Sequence, residues 1–191
     1  MKITVISSSL RRNGNSEMLA DEFIRGAKES GNEVEKITLG GKKINFCIGC
    51  LSCQKTGKCV IKDDCAEINE KIHDADVLVF ATPIYYYEMS GQLKTVLDRA
   101  NPLYDSDYRF KDVYVLSTAA EDEEYVPKRA GAISEETRYV LDYFKVEDPE
   151  LITDVGAQLK DISIRKTAGV GSQISLKKAW ETMKKLDVVT L

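Results

Sequence analysis

Residues 3–6, Ile3-Thr4-Val5-Ile6, run into Ser7-Ser8-Ser9-Leu10-Arg11-Arg12-Asn13-Gly14-Asn15-Ser16, and after them Met18, Leu19, Phe23, Ile24 and Ala27 recur at helical spacing until Gly31. A short apolar run, a polar loop and an amphipathic stripe stopped by glycine predict strand, loop and helix in that order. Further strands are expected at 33–39, 76–81, 112–118 and 150–155, and helices at 64–74, 90–100, 133–145 and 174–187. Val77-Leu78-Val79-Phe80-Ala81, after Asp76, and Val113-Tyr114-Val115-Leu116 are short apolar runs, as strands covered on both faces are. Strands alternating with helices predict an α/β fold with a doubly wound five-stranded parallel sheet and helices on both faces. Ligands of such sheets sit at the carboxyl ends of the strands. No repeat or linker divides the 191 residues, so 1–191 reads as one domain, with a Cys-rich loop insertion at about 41–63.

The net charge of -4 provides no positive field for a polyphosphate backbone, so nucleic acid is not an expected partner. The apolar run at the N-terminus is too short for a signal sequence, and no stretch of about 18 apolar residues exists to cross a membrane. A cytoplasmic protein is expected.

The loop from Ser7 to Ser16 puts hydroxyls, two arginines and unpaired backbone N–H groups at the start of a helix, where the dipole favours an anion. It has neither the lysine and spacing of a Walker motif nor G-x-G-x-x-G, so a monophosphate suits it better than a triphosphate or pyrophosphate. The plainer reading is that Ser16 caps the helix and the loop is solvated. After the third strand come Thr82-Pro83-Ile84-Tyr85-Tyr86-Tyr87, which place backbone amides and aromatic surface at the ligand-bearing edge. Such a surface suits a planar aromatic ligand, or else covers the sheet edge or a dimer contact. His73, the one histidine, falls near a helix C-terminus, where an imidazole suits the dipole.

All five cysteines lie between 47 and 65, and Cys47, Cys50, Cys53 and Cys59 are spaced closely enough to converge on one inorganic centre. Four thiolates serve a 4Fe-4S cluster or a tetrahedral zinc, and the compact spacing favours the cluster. Gly49 and Gly57 would let the loop turn, and Cys65 reads as a small buried residue at a helix start. With so few apolar residues, the 41–63 loop is expected to depend on metal for its order.

Ser9-Leu10-Arg11-Arg12-Asn13-Gly14-Asn15-Ser16 resembles the S-P-R-x-x-G-N-T phosphate loop of the flavodoxin-like NADPH-dependent FMN reductase family, with Leu10 replacing Pro and Ser16 replacing Thr. Pro83, Tyr85, Met89, Ser90, Gln92, Leu93, Lys94, Asp98 and Arg99 match that family's P-x-Y-x-x-x-M-S-x-Q-L-K-x-x-x-D-R signature. The resemblance implies a flavodoxin-like fold, FMN as cofactor, and a phosphate held by Ser9, Arg11, Asn15 and Ser16 beside Ser7. It also implies ring contacts from Thr82, Pro83, Ile84, Tyr85 and Tyr86, and from Ser117, Thr118, Ala119 and Ala120. The cysteine spacing is similar to that of the iron-sulfur flavoprotein branch, in which Cys47, Cys50, Cys53 and Cys59 would be the ligands. Expected partners are NAD(P)H or a redox protein as donor, an acceptor the residues do not name, and a second copy in a homodimer or homotetramer. Rival readings are a flavodoxin-type electron carrier without a small substrate, a flavin-only reductase whose cysteine loop is structural, and a small-molecule-binding α/β domain with no redox role whose cysteine loop is a structural zinc staple.

Overall fold

The computed structural model describes residues 1–86, 88–110 and 112–118. The elements are β1 (Lys2–Ser7), α1 (Asn15–Glu29), β2 (Glu33–Thr38), α2 (Ser52–Thr56), α3 (Cys65–His73), β3 (Val77–Tyr85), β4 (Glu88–Met89), α4 (Gly91–Arg99), a 3-10 turn (Asn101–Leu103) and β5 (Asp112–Thr118). Four strands run parallel in the order β2-β1-β3-β5, and β4 turns back antiparallel on the end of β3. The expected strand at 150–155 and helices at 133–145 and 174–187 lie outside the described residues.

Alternation along each strand divides the core in two, because successive side chains leave opposite faces of a sheet. Ile3, Val5, Val77, Val79, Tyr114 and Leu116 meet Leu19, Phe23 and Ala27 of α1. Ile6, Leu78, Phe80 and Val113 meet Ile68 and Ile72 of α3 and Leu93 and Val96 of α4 on the other face. Helices therefore cover both faces, as the doubly apolar strands required. Gly31 ends α1 at φ 84, a left-handed conformation that glycine adopts without strain.

β3 runs to Tyr85, past the expected end at 81. Proline usually breaks a ladder, but Ala81 turns its carbonyl to Ser8 N–H at 2.9 Å, so by alternation the nitrogen of Pro83 faces the same side, where β1 has ended. The opposite edge pairs Thr82 with Ser117 and Pro83 with Thr118, which carries the strand onward.

Candidate functional site

The chain passes from β1 to β2 on one side and to β3 on the other, so the carboxyl ends of β1 and β3 flank the point where strand order reverses. The register places Ser7 beside Ala81, and Thr82 beside Ser117. The three candidate loops are thereby brought to one edge.

Hydroxyl groups tie these loops together. Ser8 Oγ donates to the Ala81 carbonyl at 3.2 Å and accepts from Ser90 Oγ at 2.8 Å, while Ser90 N–H donates to Thr82 Oγ1 at 3.0 Å. Ser16 and Thr118 share a buried 2.6 Å hydrogen bond between hydroxyls 102 residues apart in sequence. Gly14, not Ser16, occupies the cap position of α1, and among the described residues no side chain caps the helix. Its first N–H groups therefore have neither an intrahelical acceptor nor a side-chain cap, which is the condition for receiving an anion.

Ser9 is buried, and its Oγ accepts from Arg11 N–H at 3.3 Å. Arg11 and Asn15 are exposed at the rim. A methyl group on Gly14 would stand 2.9 Å from Ser9 Oγ, so absence of a side chain there keeps the cradle open. This geometry fits a phosphate. Ser7 Oγ, by contrast, donates to the Glu17 carboxylate. Burial pushes the Glu17 carboxyl up, but Lys36, Ser7 and Thr38 outweigh it and hold the group below its ordinary range.

Along the flavin loop Thr82 is buried, Pro83 and Ile84 are half-buried, and Tyr85 is exposed. Tyr86 is 98% exposed with φ 51 at the turn between β3 and β4. A bulky residue in the left-handed region is strained. Ser117 and Thr118 are buried at the end of β5, and Ala119 and Ala120 lie outside the described residues.

Cys47, Cys50, Cys53 and Cys59 line one small pocket of about 30 Å³ with Val60 and Asn101. Cys47 and Cys50 are exposed, Cys59 is half-buried, and Cys53 is buried, accepting from Asn101 Nδ2 at 3.0 Å. The donor type suits a thiophilic metal, yet among the described residues no three His, Cys, Asp or Glu side chains are placed to hold one together. The loop assembles the thiols without setting them in ligand geometry. N–H and hydroxyl groups of Ser52 pull the Cys50 thiol below its usual range. Burial pushes Cys65 up to about 12, so it stays an inert thiol packed at the start of α3.

The loop does not depend on metal alone. Arg99 and Asp63 bond its two ends together, an arrangement the sequence pattern did not show because a charged helix residue reads as a solvated one. Ser8 and Ser90, as partners of the predicted residues, were likewise missed, as was the bond joining the predicted Ser16 and Thr118. A Ser immediately before an amphipathic helix, as at Ser90, was a signal for the second of them. A cavity of about 700 Å³ opens beside the loop, lined by Cys53, Cys59, Asn69, His73 and Tyr104, and no residue of the phosphate or flavin loops lines it.

Comparison with known sequences agrees with the strand-end geometry: the family described as NADPH-dependent FMN reductase matches residues 1–127. The chain belongs to this family. Within it, the chain is 43% identical over 103 residues to an iron-sulfur flavoprotein of Methanocaldococcus jannaschii, covering 54% of this chain and 53% of that one. The chain spans about half the length of the curated relatives it matches. An NAD(P)H:quinone oxidoreductase from Methanothermobacter marburgensis shares the fold with a TM-score of 0.69 at 18% identity, over 98% of this chain and 97% of that one. An FMN-dependent NADH-azoreductase from Bacillus anthracis, solved in complex with FMN, does so with a TM-score of 0.63 at 14% identity, over 97% and 98%. This FMN reductase family member thus has the flavodoxin-like fold and is similar, over about half its length, to iron-sulfur flavoproteins. No helix among the described residues is long and apolar enough to cross a membrane.

Proposed function

We propose that this chain is an FMN-dependent oxidoreductase that takes electrons from NAD(P)H or another reductant and passes them to an acceptor. The observation that carries this reading is the meeting of the uncapped start of α1, the end of β3 and the end of β5 at one edge, fastened by the pairs Ser16–Thr118 and Ser8–Ser90. Bound FMN would supply the redox chemistry, accepting an electron pair and releasing it. The chain's own part is to bind and orient. Ser9, Arg11, Asn15 and Ser16 would hold the phosphate, with Ser7 shaping the loop through Glu17. Thr82, Pro83, Ile84, Tyr85 and Tyr86 would line the ring on one side, and Ser117, Thr118, Ala119 and Ala120 on the other.

Cys47, Cys50, Cys53 and Cys59 are the ligands we assign to a 4Fe-4S cluster, supported by donor type, shared pocket and likeness to iron-sulfur flavoproteins. A homodimer or homotetramer is proposed from the exposure of Phe46, Ile48 and Tyr86, at 78%, 69% and 98%, since large apolar side chains this open are commonly covered by a partner. A cytoplasmic location completes the proposal.

Binding of FMN and riboflavin to the Arg11→Ala, Ser16→Ala double variant tests the site. FMN affinity should fall far more than riboflavin affinity, and equal losses would remove the phosphate assignment.

A further inference from the structure

The cysteine loop leaves the sheet after β2 and ends at the start of α3, and one side chain from a third element closes its neck. Arg99, in the last turn of α4, is 1% exposed although it is charged. One Nη donates to the Asn45 carbonyl at 2.7 Å and to Asp63 Oδ2 at 2.8 Å. The other donates to the Ile61 carbonyl at 3.3 Å and to Asp63 Oδ1 at 2.9 Å. Asn45 and Ile61 flank the Cys47 to Cys59 motif at its two ends.

Asp63 reinforces the closure by accepting from the N–H groups of Asn45 and Cys65, at 2.8 and 3.1 Å. Beside it, Lys43 N–H donates to Asp64 at 2.6 Å and Asp64 N–H to the Lys43 carbonyl at 3.0 Å. A buried ion pair is a poor source of net stability, because desolvation offsets the attraction. What it supplies here is geometry. Only a planar guanidinium can meet two carbonyls and both oxygens of a carboxylate at once; an ammonium at the same place could not span them. The same nine-residue helix is capped by Ser90, which is bonded to Ser8 and to Thr82 of the strand ends.

We propose that Arg99 is the positioning residue of the cysteine loop, closing its neck through protein contacts and, by way of α4, fixing the thiols relative to the edge where the flavin loops meet. Its consequence for a metal rests on the assignment of the four cysteines as ligands; its consequence for the loop does not.

The test compares the metal-free full chain with Arg99→Lys and with the double variant Asp63→Asn, Arg99→Gln, which removes both buried charges together. Amides of residues 43–63 should exchange hydrogen about tenfold faster in both variants, and buried Cys53 should alkylate about tenfold faster, while β1 and β3 keep their protection. Wild-type rates in both variants would overturn the proposal. So would equal loss of protection across the whole sheet in both, which would make Arg99 a determinant of the fold instead. Ferric iron, sulfide and a thiol reductant are then added anaerobically, and dithionite supplies the one electron that makes a 4Fe-4S cluster paramagnetic. The Lys variant, although conservative in charge, should give a paramagnetic resonance signal different from that of wild type, and an identical signal would contradict the positioning role. If wild type itself takes up no iron, the ligand assignment fails, and exchange and alkylation alone decide on Arg99.

Discussion

Gly14→Ala probes the phosphate cradle with a single methyl group. Gly14 has φ -70 and ψ 159, an extended conformation open to any residue, so the backbone does not resist the change. The new Cβ would meet Ser9 Oγ at 2.9 Å, closer than real contacts allow, and the Arg11 carbonyl at 3.2 Å, a tight contact that a shift of a few tenths of an ångström relieves. The Ser9 hydroxyl is the group that can yield, by rotating out of the cradle. Alanine is a poorer cap residue than glycine, which costs about 0.5–1 kcal/mol, while loss of glycine's freedom in the unfolded chain returns about 0.4–1 kcal/mol. Stability should therefore change little. Binding should not be spared, because a hydrogen bond to a charged phosphate contributes about 1.5–3 kcal/mol. At about 1.4 kcal/mol per decade, FMN dissociation constants should rise about ten- to a hundredfold. Calorimetric titration with FMN and with riboflavin, alongside a melting curve, reads both effects. Unchanged FMN affinity, or an equal loss for riboflavin, would refute a phosphate seat at Ser9.

Serine in place of Cys47, Cys50, Cys53 or Cys59 should abolish iron binding after anaerobic reconstitution, whereas Cys65→Ser should retain it; iron analysis of the five variants distinguishes ligands from the buried thiol. Asp63→Asn should cost about 3–5 kcal/mol by leaving the buried Arg99 charge unpaired. Burial raises the Asp63 carboxyl, but Arg99 and the N–H groups of Asn45 and Cys65 hold it well below the usual range. A lowered folded pKa gives stability that is complete above about pH 4 and fades as pH falls further. Acid denaturation followed by circular dichroism should show that slope in the wild type and a shallower one in the Asn variant. His73 bridges Asp74 and Asp107, which raise its pKa, so its contribution is full below about pH 6.5 and is lost as pH rises through the folded value. His73→Asn should remove that alkaline-side decline in denaturant titrations. Sedimentation at micromolar concentration should show a dimer or larger species, and a monomer that keeps FMN would contradict the assembly.

Much of the sheet was legible because apolar runs such as Val77 to Ala81 and helical stripes such as Leu19, Phe23 and Ala27 follow directly from burial. The expected span 112–118 coincides with β5, β2 ends one residue before the expected 39, and α3 and α4 are one residue shorter at each end than 64–74 and 90–100. The end of β3 was not legible. Pro83 reads as a breaker, and the side its nitrogen faces is a property of the assembled sheet. The five-residue α2 lies among cysteines with no periodic pattern to announce it. The phosphate loop was readable as strand, polar loop and helix, but the bond from Ser16 to Thr118 joins residues that only the parallel register brings together. Arg99 was legible only as one member of a signature; its burial and its hold on Asn45, Ile61 and Asp63 depend on where the cysteine loop folds back.

Absorption of the full chain purified without air, before and after addition of NADPH or NADH, bears most directly on the proposed function. One FMN per chain, with flavin bands that bleach on addition of reduced nicotinamide and return on exposure to an acceptor, is the predicted result. A chain that neither retains nor takes up FMN would contradict the assignment of the strand ends. A chain whose bound flavin stays oxidised with both nucleotides would contradict its use of nicotinamide as donor.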